Sequence, residues 1–206
     1  MIPLERSWHR AWADLRLADP GAAVRDALLQ RWAEPHRRYH TLQHLGECLA
    51  LLGEHRAQAV HAGEVALALW FHDAIYDTHR HDNEAESAAW AGRVLDATGA
   101  APEVSARVRS LILATRHSVP AATSDERLLV DIDLAVLGAD PARFDEYDRQ
   151  IRDEYACVPE DVFRDKRGEV LRGFLSRPEI FATPSLARRF ERVARANLAR
   201  ALARLG

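Results

Sequence analysis

Apolar residues recur at spacings of three and four through almost the whole chain. That is the helical repeat, so each segment obeying it carries an apolar stripe that must be buried against its neighbours. Alternation at every second residue, the mark of a half-buried strand, is scarce, and clusters of β-branched residues are short. The expected fold is therefore all-α, a single-domain helical bundle of about ten helices. Caps and breakers mark the ends. Asp19-Pro20 and Asp140-Pro141 read as an N-cap followed by Pro at the first helical position, and Thr123-Ser-Asp-Glu126 reads as a capping box. Gly53, Gly99 and Gly138 close the helices before them. These signals predict helices over about 3–17, 20–33, 40–52, 63–76, 83–98, 102–117, 127–137 and 141–157, with two more opening at Pro159 and Pro184. The connections are short, so residues 1–206 read as one domain without a linker or repeat.

Composition excludes several classes. With 206 residues, 48% of them hydrophobic, the chain can bury a core without disulfides. A formal net charge of -3 argues against general nucleic-acid binding. Cys48 and Cys157 are the only cysteines and form no CxxC pair, which removes a zinc ribbon or thioredoxin-like motif and suits a reducing cytosol. No apolar run is long enough for a membrane span, and the N-terminus lacks the apolar region of a signal peptide, so the expected location is cytoplasmic, with no membrane partner. Lys166 is the only lysine, so any single arginine is weak evidence for phosphate binding. Trp8 and Trp12 read as exposed on the first helix, a surface through which a homodimer would form.

Four segments carry chemistry. In Tyr39-His40-Thr-Leu-Gln-His44, two histidines stand at i and i+4, which on a helix puts both imidazoles on one face. Cys48 continues that face, as a soft ligand or simply a small buried hydrophobe. His72-Asp73 ends an almost wholly apolar segment, where a carboxylate needs a compensating partner such as a cation. In Leu128-Leu-Val-Asp131-Ile-Asp133-Leu-Ala-Val-Leu137, residues two apart point about 200° apart, so the two acids cannot serve one site. Asp133 has Leu129, Val130, Val136 and Leu137 as helical neighbours and is preferred as the core-facing ligand. Asp131 can pair with Arg127 and is read as the structural acid, although the choice between the two stays open. Finally, Arg116-His117 ends another apolar helix, either as a C-terminal cap or as a substrate contact or second-metal ligand. The mixed nitrogen and oxygen donors suit Mn, Fe, Zn, Ni or Co, and Mg through the carboxylates.

The order of a His, a His-Asp dipeptide and a distant Asp, all on helices, resembles the HD superfamily of metal-dependent phosphohydrolases. The stretches RRYHTLQH, LALWFHDAIYD, HDNEAESA, LILATRH, LLVDIDLAVLG, IRDEY and ERVARANL resemble an uncharacterised bacterial branch of predicted HD phosphohydrolases. The resemblance implies His44, His72, Asp73 and Asp133 as metal ligands, within a core over about 36–140 on which helices of 141–206 pack. The YHTLQH segment is also similar to one in cyclic-nucleotide phosphodiesterases, which implies His40 as the acid protonating the leaving group. Glu84 and Asp77 are expected to act on or orient the metal-bound water, which serves as nucleophile, and Arg38, Arg116, Arg152 and His117 to contact substrate. The implied activity is hydrolysis of a nucleotide or another small phosphoester. Two rivals share the scaffold: a di-iron oxygenase using extra histidines such as His117 and His40, and a non-catalytic nucleotide-binding module.

Overall fold

The computed structural model describes residues 4–117 and 120–205; Pro3, expected to open the first helix, lies outside them. Among the described residues the chain forms ten α-helices and no strand. In order these are α1 (Leu4–Leu15), α2 (Ala22–Trp32), α3 (Leu42–His55), α4 (Ala62–Phe71), α5 (Asn83–Ala97), α6 (Pro102–Ala114), α7 (Ser124–Asp133), α8 (Pro141–Glu154), α9 (Glu160–Leu175) and α10 (Pro184–Leu205). Short 3-10 turns occupy Arg56–Gln58 and Leu134–Gly138. No described helix is long and apolar enough to cross a membrane. The chain divides into two units, Met1–Val130 and Asp131–Gly206, the division falling within α7.

The first unit is built around α4. Its sequence is apolar on every side, and every residue from Gly63 to Phe71 is buried, with α1, α3, α5 and α6 packed about it. The one charged residue in that stretch, Glu64, survives burial because Arg107 grips it with two hydrogen bonds of 2.7 and 2.6 Å. Gly63 is the point of closest approach between helices. A Cβ there would stand 2.4 Å from Leu15 Cδ1, 2.7 Å from Asp14 Cβ and 2.9 Å from the Ala11 carbonyl oxygen.

Trp8 and Trp12 correct the expectation of an exposed pair. They are 0% and 1% exposed, and Trp8 meets Trp12 and Trp70 edge-on at 5.6 and 5.2 Å between ring centres. The charged residues around them in sequence lie on the other face of α1, while Trp8, Ala11 and Trp12 form its buried stripe. The homodimer surface inferred from them loses its basis. Asp19, read as the N-cap of α2, instead accepts the Trp8 indole N–H at 3.0 Å and the Gly21 N–H at 2.8 Å, leaving Gly21 at the cap position with a φ of 94°.

The capping box of α7 forms as expected. The Glu126 N–H donates to Thr123 Oγ1 at 3.1 Å, and the Glu126 carboxylate accepts the N–H groups of Thr123 and Ala122 and the Ser110 hydroxyl. Several helix ends differ from the sequence reading, and α3 runs through Gly53, expected to close it, to His55. Thr41, not an earlier residue, caps α3, so His40 precedes that helix. Helix α4 stops at Phe71 because the backbone groups beyond it are taken by side chains: Arg37 binds the carbonyls of Asp73 and Ala74, and the Ser87 hydroxyl accepts the Ile75 N–H.

In the second unit, α10 packs against the 3-10 turn Leu134–Gly138. A Cβ at Gly138 would fall 2.5 Å from Phe190 Cβ, and Asn197 Nδ2 donates to the carbonyls of Leu137 and Ala139 at 2.9 Å each. Leu137, Phe144, Leu171, Phe181, Leu186 and Leu198 complete its core.

The Gly63 contact gives a direct test of the packing around α4. Gly63→Ala improves intrinsic helix propensity by about 1 kcal/mol. The clash with α1 nevertheless predicts a net loss of about 1–3 kcal/mol in urea unfolding. A neutral or stabilising effect would contradict the close approach.

Candidate metal centre

His44 sits in the first turn of α3, His72 follows the last residue of α4, and Asp133 is the last residue of α7. The two histidines are 2% and 1% exposed. Their Nε2 atoms lie 3.3 Å apart. Asp73 Oδ2 lies 3.0 Å from His72 Nε2 and 3.9 Å from His44 Nε2. Two nitrogens bound to a single ion at about 2.1 Å, at angles between 90° and tetrahedral, are about 3.0–3.4 Å apart, so the imidazole spacing fits a shared cation.

The proton on His72 follows from its other nitrogen. Nδ1 lies 2.9 Å from the Leu69 carbonyl oxygen, which can only accept, so in the neutral ring the proton sits on Nδ1. Nε2 then presents a lone pair toward Asp73 and His44. A lone pair facing a carboxylate oxygen at 3.0 Å is repulsive unless a positive charge lies between them. A proton or a divalent cation would meet that need, and the two nitrogens with the Asp73 carboxylate are donors suited to the cation.

Aromatic rings wall the imidazoles. Trp32 lies 5.4 Å from the His72 ring and 6.2 Å from the His44 ring, and Tyr39 lies 4.7 Å from His44. Cys48 Sγ is 3.7 Å from His44 Nδ1 and 3.8 Å from Nε2. Near-equal distances show that the sulfur is not aligned with one nitrogen in particular, and it lies against the His44 ring.

His40 lies beside the centre by a route the sequence did not suggest. Because it precedes α3, it does not share a helix face with His44. Its ring instead stacks on Tyr76 at 4.2 Å and stands edge-on to His44 at 5.9 Å. The expectation for Asp131 also changes. It is 1% exposed and the more deeply buried of the two acids, the reverse of the reading from its neighbours. Its partner is not Arg127, whose guanidinium bonds the Ala122 carbonyl. The Asp131 carboxylate instead accepts the backbone N–H groups of Ala182 and Thr183, just ahead of α10. Burial raises the Asp131 carboxyl above its ordinary value, against the pull of those two N–H groups.

The remaining expected residues have specific surroundings. Asp77 accepts the His79 N–H and exchanges hydrogen bonds with the Asn83 side chain, ordering the loop before α5. Glu84 and Arg116 meet each other at 3.5 Å. His117 follows α6 with a φ of 53°, and Arg38 is exposed. Arg152 is tied to the turn between α8 and α9 by Glu160 and the carbonyls of Tyr155 and Val158, and lies over the Phe163 ring.

Arg37, Trp32, Tyr76 and Ser87 were not singled out from the sequence. Arg37 follows directly on His36 and precedes Arg38 in a polar stretch; only Glu34, three residues before it, hinted at a buried pair. Comparison of the chain with protein-family models, curated proteins and solved structures finds no match.

The two acids of α7 are separable by experiment. Asp133→Asn should weaken binding of Mn(II) or Zn(II) by at least about tenfold in calorimetric titration while leaving thermal stability nearly unchanged. Asp131→Asn should retain metal binding and lose about 1–3 kcal/mol of stability, because two buried N–H groups lose their charged acceptor. The opposite pattern would reverse the assignment.

Proposed function

We propose that this chain is a metal-dependent phosphohydrolase acting on a nucleotide or another small phosphoester. The observation that carries the reading is the approach of the buried His72 and His44 Nε2 atoms to the partly exposed Asp73 Oδ2, with 3.3 Å between the nitrogens and 3.0 Å from His72 to the carboxylate. His44, His72, Asp73 and Asp133 would hold a divalent ion of the Mn, Fe, Zn, Ni, Co or Mg group. Such an ion lowers the pKa of water and polarises a phosphoryl oxygen, the two requirements of phosphoester hydrolysis near neutral pH.

The chain's own residues supply the rest. The Leu69 carbonyl holds His72 in the tautomer that presents Nε2. Trp32 and Tyr39 exclude water from one side of the imidazoles, which strengthens every charge interaction within the centre. His40 is the proton donor for the leaving oxygen. Its imidazole is partly exposed, close to His44, and held by stacking on Tyr76, so it can reach both a bound ester and solvent. Arg38, exposed, and Arg116, beside Glu84, are the arginines that would contact the phosphate.

A phosphoester panel on metal-replete protein, with elemental analysis of the same sample, tests the proposal. Turnover should require added metal, stop with chelator, and fall by more than about 100-fold in His72→Ala and Asp73→Ala. Full turnover in the chelated protein or in either variant would refute it. Two irons per chain with oxygen consumption would replace it with an oxygenase.

A further inference from the structure

We infer that Arg37 is a positioning residue that holds the ligand Asp73 and the proton donor His40 in one frame, an inference that rests on the metal-centre reading above. Its side chain is 0% exposed. All five guanidinium N–H groups are used. Nε donates to Glu34 Oε2 at 3.1 Å and Nη2 to the same oxygen at 3.0 Å. Nη2 also donates to the Ala74 carbonyl at 3.2 Å. Nη1 donates to the Asp73 carbonyl at 2.6 Å and to the His40 carbonyl at 3.3 Å. One rigid plane thus binds the backbone of the segment that leads into α3 and the backbone of the segment that leaves α4.

The faces of that plane are engaged as well. The guanidinium carbon lies 5.6 Å from the Trp32 ring and 5.3 Å from the Tyr76 ring. Trp32 in turn packs on His72, and Tyr76 stacks on His40. Both rings against Arg37 therefore touch a histidine of the centre.

Charge alone does not explain a guanidinium here. A buried cation close to a divalent-ion site would oppose metal binding, but Glu34 neutralises it. Burial works to raise the Glu34 carboxyl, and hydrogen bonds from Arg31 and Arg37 outweigh it, so the carboxyl stays below its ordinary value and ionised. What remains is geometry. The planar fork fixes three carbonyls and a carboxylate at once, which a lysine ammonium with a single nitrogen cannot do.

Co(II) titration of the wild type, Arg37→Lys and Glu34→Gln, read by calorimetry and by the visible d–d spectrum, tests this role. Circular dichroism confirms that each protein is folded. Arg37→Lys keeps the charge and should bind Co(II) about 10- to 100-fold more weakly, with an altered d–d spectrum at unchanged helix content. Glu34→Gln, which leaves the guanidinium in place but loosens it, should shift both readouts the same way by less, and it carries the test if Arg37→Lys does not fold. Wild-type affinity and spectrum in both variants would overturn the positioning role and leave the metal centre standing. Failure of the wild type to take up Co(II) would overturn the metal centre and the positioning role with it.

Discussion

A buried imidazole nitrogen 3.0 Å from a carboxylate oxygen demands a positive charge between them. With the Leu69 carbonyl already facing Nδ1, that charge is a second proton on the ring or a bound cation. A carbonyl selects the tautomer, and a second imidazole stands 3.3 Å away. This donor set and spacing could hold a divalent ion.

The scaffold serves that centre. Helix α4 is buried on all sides, so the residues at its end project from a fixed support. Tryptophans 8, 12, 32 and 70 fill the space around it, and Trp32 joins the core to the site by donating its indole N–H to the Trp70 carbonyl at 3.0 Å while packing against both histidines. The helix then ends early, and the carbonyls of Asp73 and Ala74 pass to Arg37.

Much of this was legible in the sequence because it is local. The three–four period gave ten helices, the Thr123–Glu126 capping box formed as written, His72 and Asp133 stood out as polar residues in apolar segments, and His44 by its spacing from His40. What was not legible depends on distant partners. Trp8 and Trp12 looked exposed because their neighbours in sequence are charged, although the buried face of α1 is set by α4. Asp131 is the more buried acid because a loop about fifty residues later supplies its N–H donors, and no window of i±4 contains that loop. Arg37 lies in a polar stretch, and the Asp73 and Ala74 carbonyls that it binds become visible only once the end of α4 is brought beside it.

The central claim is that these imidazoles and carboxylates grip a single ion, and X-ray absorption at the metal edge reads that most directly. Zn(II)-loaded protein should show a shell of nitrogen and oxygen at about 2.0–2.1 Å with the multiple scattering of two imidazoles. His44→Ala should lose the contribution of one ring. A sulfur shell near about 2.3 Å, or a light-atom shell with no imidazole scattering, would place the ion elsewhere and contradict the account.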